Sequence, residues 1–175
     1  MDGRSSSFRS ELILLLPRLR RFGHALTGSA DAADDLVQDA LERAMRRQAQ
    51  YEPGTRLDSW MYRMMQTIWI DERRKQTVRR QHAPGLTDVV QTRGEDGRVS
   101  FPARVELEDV RKAMQLLPDD CRAVLALVSI DGLSYAEAAE ALAIPAGTVM
   151  SRLARARRLL VAILDSSKKD VSGHD

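Results

Sequence analysis

The stretch from Ser134 to Leu160 constrains this chain most, because its residues specify a short helix, a tight turn and a longer helix in succession. Ser134 suits an N-cap, and Glu137 three residues on completes a capping box. Leu133 and Ala138 take the staple positions, and Gly132 suits the left-handed end of a preceding helix. Ala138, Ala139 and Ala141 keep the first helix thin enough for close packing. Ala143-Ile144 forms the turn, and Pro145 fits the first turn of the second helix, where a missing N–H leaves no bond unmade. Val149, Leu153, Leu160 and Ile163 recur at helical spacing and face inward, leaving Thr148, Ser151, Arg152, Arg155 and Arg158 outside. A helix-turn-helix of this layout sets its second helix in a DNA major groove. Alanine-rich hairpins with solvated arginines also occur without nucleic acid, and a capping box alone separates the two poorly. Box, short first helix, proline and clustered arginines together favour DNA.

The length of 175 residues allows one ordinary domain or two small ones. A net charge of +2 gives no global field for nucleic acid, so any such signal is local. The single Cys121 excludes an intramolecular disulfide and suits a reducing compartment; its place on a helical stripe makes it a small core filler. His24, His82 and His174 lack ligand spacing, so no metal site is expected, and no cofactor motif occurs. The apolar run Leu12 to Leu16 is too short for a membrane span and lacks a signal-peptide layout. A cytoplasmic protein is expected.

Helical periods dominate the rest. Residues 8–27 place Leu12, Leu15, Leu16, Leu19, Phe22 and Leu26 on one stripe, with Pro17 as a kink or break and Gly28 as the end. Ser29 or Asp31 caps a second helix running to about Gln48, with Ala33, Leu36, Val37, Ala40, Leu41, Ala44 and Met45 inward. Its outer face runs from acidic to basic, an order the helix dipole explains without a partner. Tyr51 to Thr55 holds a Pro-Gly turn, and Leu57, Trp60, Met61, Met64, Met65 and Ile68 mark a third helix. Residues 82–103, with Pro84, Gly85, Gly94, Gly97 and Pro102, read as a flexible linker. Leu107, Val110, Met114 and Leu117 form the next stripe, and Pro118 opens a helix with Cys121, Val124, Leu125 and Val128 inward. The expectation is an all-α protein of two small helical domains, 1–81 and 104–167, joined by that linker and followed by a frayed polar tail, 168–175.

No catalytic motif is present. Asp34 and Asp35 are adjacent and point apart on a helix, so they cannot share a proton, and no phosphate loop or nucleophile elbow occurs. Two basic regions lie on different domains, Arg73 to Arg80 and Arg152 to Arg158, which suggests two DNA contacts on one tether. Thr148, Ser151 and Arg152 are placed to reach base edges. The loop Tyr51 to Arg56 could receive an unstacked base, with Trp60 behind it, although Trp60 fits the core stripe better.

The motifs Asp34-Asp35-Leu36-Val37-Gln38-Asp39, Trp60-Met61-Tyr62-Arg63, Asp71-Glu72-Arg73-Arg74, Leu117-Pro118, Gly132-Leu133-Ser134-Tyr135 and Gly147-Thr148-Val149-Met150-Ser151-Arg152-Leu153-Ala154-Arg155-Ala156-Arg157, in that order, resemble a bacterial sigma factor of the extracytoplasmic-function group. The likeness covers all but the linker and tail. It implies that Asp35, Gln38, Asp39, Glu42 and Arg43 dock on the β′ clamp helices of core RNA polymerase. It implies that Tyr51, Thr55, Arg56, Arg63, Gln66, Thr67, Arg73 and Arg74 open and read a promoter's minus-ten element. Pro145, Gly147, Thr148, Ser151, Arg152, Arg155 and Arg158 would meet the minus-thirty-five element. The β flap, an anti-sigma factor and a stress-response setting follow from the same likeness, and the linker would thread toward the RNA exit path. Thr67 stands where many members have Asn, and Ala143 where many turns have Gly. The alternative function is a helix-turn-helix regulator whose first domain dimerises or senses a ligand, which would show as a pocket of convergent polar groups.

Overall fold

The computed structural model describes residues 2–82 and 102–172, and among the described residues glycine, proline and serine punctuation separates seven α-helices. They are α1 (Asp2–Thr27), α2 (Ala30–Arg46), α3 (Leu57–His82), α4 (Pro102–Gln115), α5 (Asp119–Leu125), α6 (Tyr135–Leu142) and α7 (Ala146–Ser172). A 3₁₀ turn, Gln48–Gln50, follows α2, and a π turn, Ala126–Ile130, prolongs α5. No strand occurs among the described residues. The stretch expected as a linker lies, at 83–101, outside the described residues; His82 ends α3 and Pro102 begins α4.

Gly28 ends α1 at φ 76°, donating its N–H to the His24 carbonyl at 2.8 Å. A Cβ there would also meet the Gln115 side chain at 2.6 Å, which would have to shift, while the left-handed backbone itself favours glycine. Ser29 then caps α2, its hydroxyl accepting from Ala32 N–H at 3.4 Å. Pro17 neither breaks α1 nor ends it, contrary to one sequence expectation. The carbonyl it leaves without an N–H donor belongs to Ile13, which is 64% exposed, so water can take the missing bond. At the other end of the chain, α7 continues to Ser172, past the point where polar composition suggested fraying.

The stripes bury largely as their periods require. Leu12, Leu19, Phe22 and Leu26 of α1 meet Leu36, Val37, Ala40 and Ala44 of α2 and Met61, Met64 and Met65 of α3 in the core. Cys121 is fully buried, and its burial pushes the thiol up from its ordinary value, which suits an inert filler. Leu107 departs from its assigned inward place and is 70% exposed; only the later part of the α4 stripe, Met114 and Leu117, is buried. Tyr62 and Trp69 are buried although the stripe assigned to α3 omits them, because α3 packs against α2 on one side and α6 on another.

The amino-terminal set α1–α3 and the carboxy-terminal set α4–α7 share one continuous core. Helix α3 lies against α6, and α1 lies against α4, α5 and the π turn. The turn residue Ala143 sits in the left-handed region, φ 53° and ψ 45°, at an exposed position. That conformation costs an L-residue about 1–2 kcal/mol. Ala143→Gly is therefore expected to stabilise the protein by about 1 kcal/mol, less what the freer unfolded chain takes back. A thermal melt that falls instead would show that Ala143 packs usefully.

Candidate nucleic-acid and polymerase interface

The helix-turn-helix is built from local bonds. Ser134 accepts from Glu137 N–H at 3.3 Å, and Glu137 accepts from Ser134 N–H at 2.8 Å, which closes the capping box. These donors, first the Ser134 backbone N–H, then its hydroxyl and Arg56, hold the Glu137 carboxyl down to about 2. Ile144 N–H reaches the Ala139 carbonyl at 3.0 Å across the turn. Pro145 lies just before α7, not inside its first turn, and its carbonyl accepts from Thr148 at 2.9 Å and Val149 at 3.1 Å. The fixed φ of proline serves the entry to the helix from there as well.

On α7, Val149, Leu153 and Ala156 are buried, while Leu160 and Ile163 are half-buried. Gly147, Ser151, Arg155 and Arg158 are exposed, and Thr148 is half-buried. Arg152 is half-buried and its Nε lies 3.1 Å from an Asp120 carboxylate oxygen of α5. The bond holds one edge of the guanidinium and leaves its terminal nitrogens for another acceptor. Met150, passed over in the sequence, is 52% exposed between these polar residues. Its place off the 149-153-156 stripe was the available signal.

Of the residues assigned to polymerase, Asp35, Asp39 and Arg43 line a groove of about 770 Å³ between α2 and α3, with Arg73 and Lys75 opposite. Gln38 and Glu42 are exposed and bonded to each other at 3.4 Å. The five occupy the solvent side of α2, as their spacing requires.

The set that the resemblance assigns to the minus-ten element is less uniform. Tyr51 packs with Phe8 and Trp60, ring centroids 5.5 and 5.6 Å away, and its hydroxyl donates to the Thr55 carbonyl at 2.8 Å. Trp60 thus belongs to an aromatic cluster under the loop, as its stripe position suggested. Thr55 is exposed and bonded to the Glu52 carbonyl at 2.7 Å. Gln66 is half-buried; Thr67 is exposed, with its hydroxyl donating to the Arg63 carbonyl at 2.8 Å. Arg74 is exposed.

Arg56, Arg63 and Arg73 reach across to the other domain. Arg56 donates to Asp58 at 2.8 Å and to Glu137, Arg63 donates to the Glu140 carbonyl, and Arg73 lies 3.4 Å from Asp119. Asp58 is largely buried, which alone would raise its pKa, but Arg56 and the Ser59 N–H outweigh burial and hold it below the ordinary range. Beside these lie residues the sequence did not single out. The buried carboxylate of Asp131 accepts from Arg18 at 3.1 Å, Arg21 at 3.0 Å and the Tyr62 hydroxyl. Burial, reinforced by that bond, raises the Tyr62 pKa. Arg122, 1% exposed, donates to the carbonyls of Leu26, Gln115 and Leu117 at 2.7, 2.7 and 3.0 Å and stacks 5.3 Å over Trp69.

Among the described residues, no group of three His, Cys, Asp or Glu is placed to hold a metal ion, and no helix is long and apolar enough to cross a membrane.

Residues 13–66 match the family described as the Sigma2 domain of PhyR, and residues 107–160 match Sigma-70, region 4. The chain is 34% identical to the ECF RNA polymerase sigma factor EcfG of Rhodopseudomonas palustris, over 91% of this chain and 86% of that one. The chain belongs to the extracytoplasmic-function family of RNA polymerase sigma factors. It is 29% identical to the family member SigW of Bacillus subtilis, over 90% and 89% of the two chains. The sigma factor RpoE of Bartonella quintana, solved with the anti-sigma factor NepR, superposes with a TM-score of 0.74 at 32% identity, covering 91% of this chain and 97% of that one. As a sigma factor, the protein binds core RNA polymerase and directs it to promoters by reading minus-ten and minus-thirty-five elements. Sigma factors are non-enzymatic initiation factors. A regulator with a sensing first domain is not favoured.

Proposed function

We propose that the work of this sigma factor divides among the residues as follows. Residues 1–81 form the region 2 domain, 104–167 the region 4 domain, 82–103 the connection and 168–175 the tail. Asp35, Gln38, Asp39, Glu42 and Arg43 dock on the β′ clamp helices, and region 4 meets the β flap. Tyr51, Thr55, Arg56, Arg63, Gln66, Thr67, Arg73 and Arg74 handle the minus-ten element. Pro145, Gly147, Thr148, Ser151, Arg152, Arg155 and Arg158 approach the minus-thirty-five element, and exposed Met150 offers an apolar contact to a thymine methyl. The chain acts in the cytoplasm, carries no reaction of its own, and is restrained by an anti-sigma factor of the kind seen with its structural neighbour.

The observation that carries the docking assignment is the exposed polar face of α2, whose Gln38 and Asp39 are both exposed and whose Asp39 edges a charged groove. Nothing in the fold needs those side chains, so Gln38→Lys with Asp39→Lys is expected to leave the helical content intact. Affinity for core polymerase should fall by about tenfold or more, since like charges placed across an interface cost a few kcal/mol. Undiminished binding in a core titration would overturn the assignment.

A further inference from the structure

Among the described residues, Arg152 is the one arginine of α7 with an ion pair: its Nε lies 3.1 Å from a carboxylate oxygen of Asp120 on α5. Asp120 is itself held, its other oxygen accepting from the Cys121 N–H at 2.9 Å. Helix α5 packs against α7, and Cys121 is fully buried, so this anchor is set on the core of the domain. Arg155 and Arg158 stand exposed on the same helix with no such partner.

Folding does not account for the pair. Both side chains are partly exposed, 31% for Arg152 and 41% for Asp120, and pairs at that exposure add little to stability. A carboxylate beside a DNA-facing helix also carries a cost, because it repels phosphates. Left free, an arginine on this face takes the nearest phosphate, and phosphate contacts carry no sequence information. Reading a base edge needs the guanidinium aimed, and ordering a long side chain at an interface costs affinity. Asp120 meets both needs. It occupies the Nε edge, so the fork of terminal nitrogens is the edge left for a base, and its charge opposes capture of the guanidinium by phosphate.

We propose that Asp120 is a positioning residue for promoter reading: it holds Arg152 off the phosphates and presents its fork to a base of the minus-thirty-five element, giving up generic DNA affinity for discrimination. The inference rests on the assignment of Arg152 to that element.

The test compares polymerase holoenzymes carrying the wild type, Asp120→Asn, Arg152→Ala and the two substitutions together. Each is bound to the consensus promoter, to single-base changes through the minus-thirty-five element and to random duplex, across a salt series. Asp120→Asn keeps the shape of the side chain but offers one oxygen where the two contacts use two. It should narrow the preference about fivefold, at the same position where Arg152→Ala narrows it. Binding to random duplex should instead rise, about twofold to threefold, with a salt slope steeper by up to about one unit, as the freed guanidinium meets phosphate. In the Arg152→Ala background, Asp120→Asn should leave the preference unchanged. A pair that merely joined α5 to α7 would on removal weaken specific and random binding together; that result, or a full preference in Asp120→Asn, overturns the proposal. Asp120→Ser keeps an acceptor for the Cys121 N–H and decides alone if Asp120→Asn does not fold. If Arg152→Ala keeps the full preference, the base-reading assignment falls and the proposal with it, whereas loss in Arg152→Ala without loss in Asp120→Asn overturns the proposal alone.

Discussion

Arg122→Ala is expected to cost about 3–5 kcal/mol of folding stability, because it empties a buried volume and strips the donor from three carbonyls. Arg122 is 1% exposed, and burial pushes its guanidinium down from the ordinary value. It satisfies the carbonyls of Gln115 and Leu117 at the end of α4 and of Leu26 at the end of α1. Helix ends leave such carbonyls without intrahelical donors. Each left dry costs about 1–3 kcal/mol. The substitution also strips the cation from the Trp69 ring. Against a total stability of about 5–15 kcal/mol, that loss is large. Urea unfolding of wild type and variant, followed by tryptophan emission and circular dichroism, measures it. Arg122→Met refills the volume but leaves the carbonyls bare, so it should recover only a part. If Arg122→Ala costs less than about 1 kcal/mol, water reaches the three carbonyls and Arg122 is a filler.

The contrast between Arg122 and Ser134 shows what a sequence of this kind discloses. Ser134 and Glu137 meet over three residues, so their spacing alone states the bond. The stripes of α1, α2 and α7 disclose their buried faces because burial on one side leaves a period of 3.6. Trp69 and Tyr62 escaped because α3 is covered on two sides, and a doubly covered helix loses that single stripe. Leu107 misled for the opposite reason, lying on the stripe but beyond the reach of the core. Arg18, Arg21, Arg122 and Asp131 have partners about a hundred positions away, and long-range charge pairing has no periodic signature. The sequence singles out none of the four, since charged residues are almost never fully buried unless paired. The candidate DNA and polymerase residues were legible as motifs, but not that three of the arginines are engaged inside the closed protein.

On the recognition helix, Arg152 and Arg158 should fail in different ways. Arg152 lies in the second turn of α7, near the end that enters the groove, and Asp120 fixes its Nε while the fork of terminal nitrogens stays available. A fork of that kind fits the O6 and N7 of a guanine, a contact worth about 1–3 kcal/mol of discrimination. Arg152→Ala should therefore relax the preference at one position of the minus-thirty-five element by about fivefold to a hundredfold or more, about 1.4 kcal/mol being tenfold. The ion pair it also removes is partly exposed and worth about 0–1 kcal/mol, so the domain should stay folded. Arg158 is exposed six residues further on, where on the proposed docking the helix would pass the phosphates rather than the base edges. Arg158→Ala should weaken specific and random duplexes alike and lower the salt slope of binding by about one unit. Both substitutions are measured on the polymerase holoenzyme, with consensus and single-base-changed promoters across a salt series. If both act equally and weakly on every sequence, the arginines only solvate α7, and base reading lies with Thr148, Ser151 and Met150.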